Sequence, residues 1–176
     1  MVISPSMTTG LFLTRSFIWL ALIAYALAIG LMILSPEHPG WRLRARSVWT
    51  FGCIAFLAHV LCAFAYFHHW SHTEAYRETA RQTAALTGRA WGGGIYFNYL
   101  LAALWIADVS WWWLAPQSFD RRPRWLAIAW HVFFFFMVFN GTIVFGHGPV
   151  RVLGVDICLV PIACWWYRRR HLTVVR

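Results

Sequence analysis

Between Phe17 and Leu34 the chain reads FIWLALIAYALAIGLMIL, without one charged residue. About 20 predominantly apolar residues are enough for a helix to cross a bilayer. In hydrocarbon every backbone N–H and C=O must be satisfied inside the protein, so a spanning segment of this kind is helical. This one run therefore decides both the solvent and the secondary structure around it. The triplet ALA at Ala26 to Ala28 resembles a signal-peptidase site, but the run continues past it, so it reads as a retained span.

Four further runs follow. Val48 to Phe67 is interrupted only by Thr50 and His59. Gly94 to Ala115 carries Asn98 and Asp108, and Trp125 to Gly146 carries His131 and Asn140. Val152 to Tyr167 is shorter and contains Asp156 and Pro161. The predicted fold is all-α: one membrane domain over residues 1–176, a bundle of five spans at about 17–34, 48–67, 94–115, 125–146 and 152–167. Composition agrees. The chain is 60% hydrophobic and only 12% charged, whereas a soluble domain has about a quarter charged residues to cover its surface.

The net charge of +9 comes from arginines set between the apolar runs. There it reports orientation rather than nucleic-acid binding, and no nucleic-acid partner is expected. With five spans, Arg42, Arg44, Arg46, Arg121, Arg122, Arg124, Arg168, Arg169, Arg170 and Arg176 share one side. Arg15, Arg77, Arg81, Arg89 and Arg151 share the other. The positive-inside rule then places the amino terminus outside and the carboxyl terminus in the cytoplasm of a bacterial-type inner membrane. Tryptophans such as Trp41, Trp111, Trp112 and Trp125 collect near the same cytoplasmic boundary, as an interfacial belt would.

The one substantial outer loop begins SHTE at Ser71 to Glu74. That spacing suits a capping box and predicts a short extracytoplasmic surface helix over about 72–87, closed by Gly88. Glu78 and Arg81 stand at i,i+3, the distance for a side-chain pair on its face. The four cysteines, Cys53, Cys62, Cys158 and Cys164, lie within apolar runs and form no CxxC pair. They read as small buried hydrophobes.

Polar groups inside the apolar runs carry the functional expectations, because an ionisable side chain in lipid faces protein or a cavity. Asp108 and His131 fall at similar depth on successive antiparallel spans, which predicts an intramembrane polar pair. Toward the outer rim, depth gathers His68, His69, His72, Glu78, His147 and Asp156. Imidazoles with carboxylates suit zinc, copper or iron. A bis-histidine haem b is a variant that draws on His59, His69, His131 and His147, with His69 and His147 matched best in depth. Against a metal, the capping box puts His72 at a helix N-terminus, where the dipole disfavours a cation.

Two function classes follow. One is a small membrane protein holding a transition metal or haem at its outer face, for electron transfer or metal handling. The other is a non-catalytic accessory or scaffold subunit that packs against lipid and other membrane subunits or copies of itself. A proton-linked small transporter is a third. No nucleophile–base pair stands out, and no substrate is indicated.

Overall fold

The computed structural model describes residues 5–34, 39–146 and 148–171. Among them there is no strand. The helices are α1 (Pro5–Leu34), α2 (Pro39–Tyr66), α3 (His72–Thr87), α4 (Gly94–Leu114), α5 (Pro116–Asp120), α6 (Arg124–Phe139) and α7 (Pro149–His171). The last turn of α6 runs on as a π-helical segment, Asn140–Val144.

The apolar runs fix the middles of these helices and not their ends. α1 starts well before Phe17 and takes Arg15 into the helix, and α2 starts at Pro39 and takes in Arg42, Arg44 and Arg46. A helix stops where its backbone loses partners, not where the bilayer ends. Proline at the first helical position is preset for that role.

Among the described residues four helices are long and apolar enough to cross a membrane: Met7–Leu34, Gly40–Tyr66, Arg124–Val144 and Val150–Arg170. The chain is thus a multi-pass membrane protein. α4 is not among the four, although its 21 residues reach roughly 32 Å at the helical rise. Asn98, Asp108 and the polar edges of Trp111, Trp112 and Trp113 dilute its apolar character. Four of the five expected spans thus qualify among the described residues, and α4 has the length of a fifth.

α3 matches its expected bounds. Ser71 accepts a hydrogen bond from the Glu74 backbone N–H at 3.3 Å, and Gly88 closes the helix at φ 76°, a left-handed cap that only glycine adopts without strain. The reciprocal half of the capping box is not made. The Ser71 N–H donates instead to the His68 carbonyl at 2.7 Å.

The contacts divide the chain into two units. The first comprises Met1–Ala21 and Cys53–Ile106, the second Leu22–Gly52 and Ala107–Arg176. In the first, Cys53, Ala55, Phe56, Ala75, Ile95, Leu101 and Trp105 are buried. The turn into α4 lies against α3: a Cβ on Gly92 would stand 2.6 Å from the Tyr76 ring. In the second unit the buried side chains include Ala24, Tyr25, Ala28, Trp49, Trp112, Phe119 and Phe134, together with Asp108. There α7 crosses the π-helical turn closely enough that a Cβ on Gly154 would meet the Thr142 Cβ at 2.5 Å. Small residues at such crossings let backbones approach, which is how helices associate without a hydrophobic driving force between them.

Candidate functional site

The first unit holds four of the eight histidines. α2 ends at Tyr66, and the chain then passes through two consecutive left-handed residues, His69 (φ 45°) and Trp70 (φ 58°). Neither is glycine, so each carries some backbone strain. The turn is held by the Trp70 N–H donating to the Phe64 carbonyl at 3.0 Å and by the Ser71–His68 bond. This break separates His68 from His72, and the i,i+4 face that two imidazoles would share is lost. His68 stands edge-on to Phe64, with ring centroids 5.5 Å apart. Burial holds its imidazole below the ordinary histidine range, with Glu78 and Glu74 pulling the other way.

His72 opens α3 and meets two tyrosines of α4. Its Nδ1 lies 2.9 Å from the Tyr99 hydroxyl and its Nε2 3.5 Å from the Tyr96 hydroxyl. Tyr76, one turn further along α3, completes a ring of aromatics around it. Glu78 is occupied by Arg81, whose Nε and Nη2 donate at 2.8 and 2.6 Å, and by Gln82. Those donors hold the Glu78 carboxyl below the usual carboxylate range. The expected i,i+3 pair is therefore made, and it leaves Glu78 little freedom to bind a metal. His59 is committed too: its Nδ1–H donates to the Thr14 carbonyl of α1 at 2.9 Å, and its ring stacks on Phe56. A backbone bond of this kind orients a metal-bound imidazole elsewhere in proteins, but His59 belongs to no group of three possible ligands among the described residues.

Among the described residues no three His, Cys, Asp or Glu side chains come together as a metal would require. His147, which the metal and haem readings both use, lies outside the described residues. No disulfide joins the four cysteines, and Cys53 and Cys158 are buried.

The second unit carries a denser polar construction. Asp108, 3% exposed, accepts from Trp49 Nε1 of α2 and from Arg122 Nη1, both at 2.9 Å. The Arg122 guanidinium lies 3.9 Å over the Phe119 ring, and Phe119 stacks on Trp112 at 4.6 Å. Trp49, fully buried, touches Tyr25, Phe134 and His131. The sequence pointed to His131 as the partner of Asp108. The carboxylate oxygens instead go to an indole and a guanidinium, and a charged donor makes the stronger bond. His131 sits edge-on to Trp49 at 6.1 Å, and its Nδ1 is buried without a hydrogen bond. Trp49 and Arg122 were hidden in the sequence because each reads as an interfacial residue. Their one signal was that Arg122 closes a short loop between two spans, within reach of whatever polar group lies on the span before it.

Nearby in the same unit, Arg42 forms an ion pair with Asp120. Arg46 donates to the Trp112 carbonyl at 3.3 Å and covers the Trp113 ring at 3.8 Å. Trp113 in turn donates to Thr50 at 2.9 Å.

On α7 the situation differs. Asp156 is exposed, and no hydrogen bond or ion pair from the described residues reaches it. Its helical neighbours Val152, Leu153, Leu159 and Val160 are exposed apolar residues.

No family model, curated protein or solved structure matches this chain.

Proposed function

We propose that the chain is a five-span membrane subunit that works as a non-catalytic part of a larger membrane assembly, bound to a second, different subunit through α7. The amino terminus lies outside and the carboxyl terminus in the cytoplasm, the orientation favoured by ten arginines against five. α4 serves as the remaining span. Its one charge, Asp108, is neutralised within the protein, and Asn98 lies near its end.

Asp156 carries this reading. The candidate span Val150–Arg170 puts it about 9 Å from the span's beginning. Sliding α7 outward would not rescue the carboxylate. Only Ile157 to Tyr167 would then remain between Asp156 and the arginines, roughly 16 Å of helix for a hydrocarbon core of about 30 Å. A carboxylate in a spanning helix pairs with a cation or a donor, or faces a cavity. A helix of another subunit with Arg, Lys or His at that depth supplies the missing partner. A symmetric copy of α7 would bring two Asp156 carboxylates to equal depth, where like charges repel.

The histidines carry no part of this reading. Glu78 and His72 have protein partners, and the described residues bring no third ligand to His68 and His69.

The test is native gel electrophoresis of detergent extracts, with photo-crosslinkers at Leu153 and Leu159. The wild-type chain is expected in a complex larger than its own monomer or dimer, with a discrete heterologous adduct. Asp156→Ala is expected to release the chain. A complex of unchanged size in that variant, or an adduct consisting only of a second copy, rejects the proposal.

A further inference from the structure

We infer that the second unit contains a binding site for the phosphate headgroup of an anionic membrane lipid. A cavity of roughly 300 Å³ opens there, within the size range of small-ligand sites. Its lining is of two kinds. Leu31 and Met32, from the last turns of α1, make an apolar wall. Arg42, Arg122 and His131 make a polar one, and Asp120 is its single carboxylate. Two guanidinium groups thus meet one carboxylate at the lining, with Asp108 behind Arg122 as the second counter-charge.

Each polar group has capacity left for a ligand. The Arg42–Asp120 pair is open to solvent, with the two side chains 44% and 41% exposed. Such pairs contribute little and exchange partners readily, so a phosphate can take Arg42 without breaking the fold. Arg122 uses one N–H on Asp108, and a guanidinium has five. Asp108 moreover has Trp49 as a second donor, so Arg122 is not its only support. His131 has a buried, unpartnered Nδ1. An imidazole nitrogen can donate or accept, so the ring still has a hydrogen bond to offer.

A free phosphate would need only the polar wall. The apolar wall beside it suits the glycerol and first methylenes of an acyl chain. Basic pockets between membrane helices on the cytoplasmic side bind anionic headgroups in this manner, and the arginine distribution puts this cavity on that side. The inference rests on the membrane orientation and not on the α7 partner, so the two fail separately.

Native mass spectrometry of the full chain in detergent tests it, with phosphatidylglycerol and phosphatidylcholine of identical acyl chains offered in competition. Wild type is expected to retain phosphatidylglycerol in preference by roughly fivefold or more, the effect of one guanidinium near an anionic headgroup. Arg42→Gln is expected to abolish most of that preference. Arg77→Gln, the same charge change on α3, is expected to keep it. Arg122→Gln is unsuitable, since it strips Asp108 of its cation. Equal retention of the two lipids, an unaltered preference in Arg42→Gln, or an equal loss in Arg77→Gln overturns the site. Protection of the wild type against heat by inorganic phosphate as strong as that by phosphatidylglycerol makes it a free-anion site and overturns the lipid assignment.

Discussion

Asp108 and Asp156 are the same residue in the same kind of setting, each a lone carboxylate in an apolar helix. Their surroundings are opposite. Asp108 is sealed, with an indole on one oxygen and a guanidinium on the other. Asp156 stands on an open face among valines and leucines, with no partner among the described residues. A buried charge that has its partners is structure, and one that lacks them is a demand on something else. The contrast separates what the chain completes for itself from what it leaves for another molecule.

Three substitutions break or sharpen that contrast. The largest effect is expected from Arg122→Gln. Removing the cation leaves Asp108 buried and uncompensated, which costs about 3–5 kcal/mol, and thermal unfolding in detergent should report a strongly destabilised or unfolded chain. If this variant is as stable as wild type, Asp108 is not held by Arg122 and the contrast collapses. Trp49→Phe keeps the ring and removes one donor. It should destabilise by roughly 1–3 kcal/mol, the range for a buried acceptor left without its partner, and a double variant with Asp108→Asn should show less than the sum of the two losses. Additive losses would mean that the two residues act apart. Asp156→Asn is expected to do least to the isolated chain, within about 0.5 kcal/mol, because no contact within the chain is lost. A clear loss of stability in the purified monomer would show that Asp156 already has a partner inside its own chain.

The histidines repeat the lesson in the first unit. His68, His69 and His72 look like one cluster in YFHHWSH. Two left-handed residues, His69 and Trp70, divide them, and His72 turns to Tyr96 and Tyr99 on α4. The Ser71 cap marked the start of a new helix, so the break between His68 and His72 was legible. The tyrosine partners were not. They lie more than twenty positions along the chain, and nothing in their own neighbourhood distinguishes them from other interfacial tyrosines.

The all-helical fold, the membrane as solvent, the approximate helix centres and the caps of α3 were readable from residues alone. Each follows from chemistry within a few positions: apolar run length against bilayer thickness, or a side chain reaching the next turn of its own helix. Partner choice belonged to the tertiary structure. Asp108 found Trp49, fifty-nine residues away, in place of the depth-matched His131. A matched depth brings two side chains to the same level of the bundle but leaves open which way each helix turns about its axis. That rotation is set by how all the helices pack together, and no local stretch of sequence contains it.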